Sequence, residues 1–266
     1  MFGKFRQWRR SRVLARARLD ERLWTATTRR FEFARGLTAE ERARLRELVI
    51  LFLDEKRFSA LQGLVLTDAM RLHVAVQACM LILNLGLDYY RGWSGILLYP
   101  AQFVPRHQYT DEMGVVHQGD QPYAGEAWSR GPVILSWEDV AKSEYPDGVN
   151  VVIHEFAHKL DMLNGRANGF PPLHRDMNRR AWVQTFTAAY HDFSARVEAG
   201  EDTIIDPYAA QAPGEFFAVL SEMFFEVPDV VHEEYPAVFA QLVQFYRQDP
   251  LARLKTRGQF GLARLG

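Results

Sequence analysis

The chain has 266 residues, 48% hydrophobic and 24% charged, with a formal net charge of −1. That length suits one large domain or a domain with a small appendage, and the near-neutral balance argues against a globally basic nucleic-acid binder. A single cysteine, Cys79, excludes an intrachain disulfide and a cysteine-built metal site, and no apolar run approaches the roughly twenty residues that cross a bilayer.

Residues 1–36 read as a basic N-terminal extension. Lys4, Arg6, Arg9, Arg10, Arg12, Arg16 and Arg18 precede the first acid, Asp20, with Phe2, Phe5 and Trp8 interleaved. Such a stretch suits an anionic membrane surface, a nucleic-acid tail or a transit peptide. The usual behaviour of chain ends makes a solvated, partly frayed terminus the simpler expectation. It has no apolar h-region and no cleavage-site pattern, so the expected compartment is the cytoplasm.

Residues 37–266 are expected to form one domain: a helical part over 37–90, a small sheet over 91–140 and further helices over 147–250. Thr38-Ala39-Glu40-Glu41 is a capping box. The helix it opens carries Leu45, Leu48, Val49, Phe52 and Leu53 on one face. It ends near Lys56 and Arg57, cations suited to a helix C-terminus. Thr67-Asp68 opens a second helix, apolar through Leu72, Val76, Cys79, Met80 and Leu83, with Cys79 as core filler. Residues 95–99 read as a buried strand stopped by Pro100. Phe103-Val104 and Val115-Val116 suit short strands, residues 119–131 a polar loop with Trp128, and residues 132–137 a further strand whose proline is tolerated at its first position.

Pro146-Asp147-Gly148 is a turn, and Asn150 or Asp147 caps the helix after it. That helix, Val151 to Asp161, contains His154-Glu155-Phe156-Ala157-His158. In a helix, positions i and i+4 share a face one turn apart. Two imidazoles so placed can grip one Zn²⁺, and the carboxylate between them can reach the ion's water. Val151, Val152 and Ile153 enter the helix as a buried run, and Phe156, Ala157 and Leu160 back it. Asn164-Gly165 ends it. A long helix over 175–199 carries Trp182, Phe186, Ala189 and Phe193. A polar connector over 201–207 leads to an aromatic helix over 214–225, which Pro228 stops. A last helix spans 236–247. The fold class is α+β, mostly helical, with a small mixed sheet ahead of the His-Glu-x-x-His helix.

A catalytic zinc usually holds three protein ligands and one open position. Glu215 is the best third candidate, because a carboxylate among Phe216, Phe217, Ala218 and Val219 is costly unless paired or metal-bound. Asp161 competes from the same face as His154 and His158, but a helix is too straight for all three to reach one ion easily. Asp161 is therefore preferred as an acceptor for an imidazole N–H. His73, His107, His117, His174, His191 and His232 lack comparable spacing and read as surface or satisfied polar residues.

His154 to Asp161, followed by Tyr208 and then Glu215-Phe216-Phe217-Ala218, resembles the Mlc titration factor A family of bacterial zinc peptidases. The catalytic helices also resemble the catalytic domain of anthrax lethal factor. The family likeness covers nearly the whole chain. It includes Leu61-Gln62-Gly63, Leu98-Tyr99-Pro100, Ala218-Val219-Leu220-Ser221-Glu222 and Phe245-Tyr246-Arg247-Gln248-Asp249-Pro250. The basic segment before residue 30 stands as the main departure. The resemblance implies a zincin-like, gluzincin fold and one zinc per chain. It makes His154, His158 and Glu215 the ligands, Glu155 the general base and Tyr208 the hydroxyl that meets the oxyanion. Asp161 and Glu222 become the residues that orient ligands. It further implies aminopeptidase-type cleavage of a peptide substrate. The other implied role is regulatory: binding an Mlc-type transcription repressor and so relieving repression of sugar-uptake genes. No direct nucleic-acid partner and no transmembrane segment are expected.

Overall fold

The computed structural model describes residues 2–101, 108–110, 116–118 and 131–256. The basic N-terminal stretch is helical: α1 (Phe2–Arg16), α2 (Glu21–Thr28) and α3 (Glu32–Arg35) follow one another. Three of the α1 arginines have acids waiting for them. Arg6 pairs with Asp88 at 3.0 Å, Arg9 with Asp54 at 2.9 Å and Arg10 with Glu55 at 3.1 Å. Val13, Leu14, Leu19, Leu23 and Trp24 pack against the core, so apolar burial holds the segment where surface ion pairs alone would do little.

α4 (Ala39–Glu55) starts at Thr38, where both halves of the capping box form. Its end departs from the expected pattern. Lys56 is buried, donates to the Trp93 carbonyl at 2.7 Å and to that of Tyr90, and lies 3.6 Å from the Trp93 ring centroid. It satisfies buried carbonyls instead of the α4 dipole. Arg57 opens a strand that the sequence does not announce, β1 (Arg57–Ala60).

α5 (Asp68–Leu81), capped by Thr67, leads to β2 (Gly95–Tyr99). β3 (Gln108–Thr110) and β4 (Val116–Gln118) pair antiparallel. Phe103-Val104, Val115 and the stretch 119–130, with Trp128, lie outside the described residues. β5 (Val133–Ser136) is shorter than expected, because Ser136 caps α6 (Trp137–Lys142) and Trp137 is already helical. Among the described residues the sheet order is β1-β2-β5 and both pairings are parallel, with Phe58 beside Ile96 and Leu97 beside Ile134. The expectation of a mixed sheet is thus corrected. β1 and β2 are joined across α5, a crossover that allows parallel pairing.

α7 (Val151–Asp161) holds the two histidines and continues as a 3-10 turn through Asn164. α8 (Arg179–Glu198) comes next, then α9 (Pro213–Glu226). Pro228 ends α9 but also begins α10 (Pro228–Glu234), since proline is favoured in a first helical turn. α11 (Pro236–Tyr246) and the short α12 (Pro250–Thr256) complete the described chain. α7 runs through the middle, packed on α9, α5 and β5. Phe156 anchors it, its ring 5.8 Å from Phe52, 5.1 Å from Tyr90 and 5.7 Å from Trp93. Among the described residues no helix is long and apolar enough to cross a membrane.

Candidate metal centre

The entry to α7 is built on a buried polar knot. Asn150, fully buried, caps the helix by accepting from the Ile153 N–H at 3.0 Å. Its own N–H donates to Glu222, and its amide donates to Gln77 Oε1 at 2.7 Å and Glu226 Oε1 at 2.6 Å. Asn150, not Asp147, is the cap. Gly148 permits the approach with a φ of +89°, and a Cβ there would lie 3.2 Å from Val227.

One turn apart on this anchored helix, His154 and His158 bring their Nε2 atoms to 3.1 Å. Glu215 Oε2 lies 3.1 Å from the first and 3.2 Å from the second. Those three donor atoms fall within 4.8 Å of one another, the one such group of metal-capable side chains among the described residues. His154 Nδ1 stands 2.7 Å from Glu222 Oε1. A proton held there leaves Nε2 a lone pair, the form in which imidazole ligates. Two imidazole nitrogens and a carboxylate oxygen, aimed at one point beside a cleft, fit a catalytic zinc's donor set.

The electrostatics agree. Burial disfavours charge on His154, but hydrogen bonds to Glu215 and Glu222 outweigh it and raise the imidazole to about 10. Burial pushes Glu215 up, yet the two imidazoles hold it well below the usual carboxylate range. Surroundings that favour a proton on His154 also favour a divalent cation, which displaces that proton on binding.

Glu215 is positioned by close packing. Pro213 starts α9, and the loop before α8 presses on this end. A Cβ on Gly169 would meet the Pro213 carbonyl oxygen at 2.7 Å, and one on Gly214 would meet Ala167 at 3.1 Å. Asp161 clamps that loop: its Oδ2 accepts from Asn168 and Gly169 N–H groups, each at 2.7 Å. Burial raises the Asp161 carboxyl to about 6 against those two donors. Its Oδ1 and His158 Nδ1 are both buried without a hydrogen-bond partner. Asp161 therefore grips backbone in this structure, and makes no hydrogen bond to an imidazole.

Glu155 faces a cleft of about 480 Å³ that His154, Tyr208, Val149, Val151 and Lys142 also line. The Tyr208 ring lies 6.0 Å from that of His154. Burial, then the Glu215 and Glu155 carboxylates, push its phenol up to about 12, so the hydroxyl keeps its proton. Asp206 fixes the turn by accepting from the Tyr208 N–H at 2.8 Å. Sequence patterns alone did not single out Asp206, Gln77 or Glu226. Asp206-Pro207 is a capping signature, and Gln77 interrupts an apolar helical run. Of the remaining histidines, His73 approaches the Val140 carbonyl through Nε2 at 3.1 Å and His174 that of Phe245 at 2.8 Å. The side chains of His107 and His117 lie outside the described residues.

The model of the family described as glucose-regulated metallo-peptidase M90 matches residues 5–247. That match takes in the basic segment from residue 5 onward, which the sequence reading set apart as the main departure. Mlc titration factor A of Salmonella arizonae is 43% identical over 225 residues, covering 83% of this chain and 88% of that protein. The protein of the same name from Salmonella gallinarum is 43% identical over 231 residues, covering 85% and 86%. A metallopeptidase family match over nearly the whole length, together with the three-donor geometry, places this chain in the glucose-regulated metallo-peptidase M90 family.

Proposed function

We propose that this chain is a zinc-dependent peptidase of aminopeptidase type, with His154, His158 and Glu215 holding the ion. The reading rests on one observation, the meeting of those three donor atoms beside a cleft lined by Glu155 and Tyr208. Zinc bound there supplies Lewis-acid polarisation of a carbonyl and of water. Glu155 takes the proton of the attacking water on its carboxylate and passes it to the leaving amine. The Tyr208 O–H donates to the oxyanion as charge grows on it. Val149, Val151 and the Tyr208 ring form an apolar wall for the peptide. Glu222 holds the His154 ring, and Asp161 holds the loop that seats Glu215. The proposed setting is the cytoplasm.

Glu155→Gln tests the reading. Hydrolysis is expected to fall by about 10²–10⁴-fold while zinc content by metal analysis stays at parent level. Cleavage at the parent rate, or activity indifferent to a chelator, overturns it. A peptide with a free amino terminus should be cut and its N-acetylated form spared; equal rates would remove the aminopeptidase part.

A second reading comes from the relatives' name, Mlc titration factor A. In it, this chain captures an Mlc-type transcription repressor, and the peptidase fold serves as the binding body. Pull-down of the host's repressor by the Glu155→Gln protein supports that role, and absence of a complex counts against it.

A further inference from the structure

Residues 1–19 hold seven basic side chains and no acidic one; with the whole chain at −1, the remainder stands at −8. α1 packs on the core through Val13 and Leu14, and Arg6, Arg9 and Arg10 pair with acids of the body, which together fix the face it turns outward. Phe5, Trp8, Arg12 and Arg16 succeed one another at helical spacing along that face. Phe5 is 66% and Trp8 53% exposed, their rings 5.8 Å apart, and the Arg12 guanidinium lies 4.8 Å from the Trp8 ring centroid. Arg12, Arg16 and Arg18 are exposed and make no ion pair among the described residues. Beside them an open groove of about 740 Å³ runs between α1, residues 17–19 and α4. Val13, Leu19, Ile50 and Leu53 contribute its apolar lining, the arginines its basic one, and its one acid, Asp54, is already paired with Arg9.

We infer that this face docks the molecule reversibly on an anionic phospholipid bilayer. Phe5 and Trp8 enter the headgroup layer, and Arg12, Arg16 and Arg18 meet lipid phosphates. Three features select this occupant. Exposed aromatic rings beside arginines suit the membrane–water interface. The apolar groove accepts part of an acyl chain. The charge asymmetry orients the basic end towards a negative plane, whereas a long polyanion running past this short patch would meet the acidic body.

Co-sedimentation of the full chain tests this, with vesicles of phosphatidylcholine alone and with phosphatidylglycerol added. Binding is expected only with the anionic lipid, weakening as salt rises. Arg12→Gln with Arg16→Gln should weaken partitioning roughly thirtyfold, about one order of magnitude or less per cation. Trp8→Ser should weaken it several-fold, and Arg71→Gln, on α5, should not change it. Circular dichroism melts at parent level exclude misfolding as the cause. No binding to the anionic vesicles, equal binding to both kinds, or binding that the Arg12, Arg16 and Trp8 changes leave untouched would each overturn the inference. So would retention by a DNA duplex at anionic-vesicle strength, which would assign the patch to nucleic acid.

Discussion

Single side chains decide whether the three donors can act together. Glu222 contacts His154 Nδ1 and also accepts from the Asn150 N–H, so it fixes the ring and the helix start at once. Glu222→Gln should weaken zinc binding about 10–100-fold, read by competition with a chelating dye; unchanged affinity would reduce Glu222 to a structural partner. Tyr208→Phe should lower kcat about 10²–10³-fold with KM nearly constant, as loss of one oxyanion donor does. A rise in KM alone would make Tyr208 a binding residue. At this scale much of the site was legible, because His154, Glu155 and His158 lie within one helical turn and Glu215 stood as an unexplained carboxylate in an aromatic run. Asp161 was only partly legible. Its spacing from His158 was visible, but the Asn168 and Gly169 N–H groups that engage it belong to a loop whose path is set by packing.

Elements place those side chains, and Gly169 marks where placement is tightest. Gly169 has a φ of +73° and no room for a Cβ beneath the Pro213 carbonyl. Gly169→Ala should therefore cost about 1–3 kcal/mol of stability and shift α9, lowering zinc affinity as well. A melt and a metal titration check both parts; a variant as stable as its parent would show the loop free to move. The long helices were readable from their caps, Thr38, Thr67 and Asn150, and from their apolar faces. β1 was not. Arg57-Phe58-Ser59-Ala60 has no strand-like apolar run, and it pairs because β2 lies alongside once α5 has crossed over. The parallel sheet was hidden for the same reason, since register comes from crossover packing. α10 and α12 were missed because each is a short helix of seven residues beginning at a proline, and Pro228 reads as a stop for the helix before it.

Across the whole molecule, two buried acids, Glu222 and Glu226, meet Asn150 at the start of α7, and stability should carry that signature. Burial raises the Glu226 carboxyl from near 4.5 to about 8, against hydrogen bonds from Asn150 and Gly148. The folded state then binds this proton more tightly than the unfolded state does. Its contribution is fullest below pH 4.5 and declines as pH rises towards 8. Denaturant melts of Glu226→Gln and the parent should diverge by a few kcal/mol across that window, the variant showing the flatter profile. Parallel profiles would place the proton elsewhere. The N-terminal helices teach a related lesson at this scale: Arg6, Arg9 and Arg10 look solvated in sequence, and the folded positions of Asp88, Asp54 and Glu55 give them partners. The central claim is that folding brings α7 and the start of α9 to one ion. Anomalous X-ray diffraction recorded on both sides of the zinc absorption edge tests it most directly. One difference peak between His154, His158 and Glu215 is the predicted result; no peak there, or a zinc peak held by other residues, would contradict it.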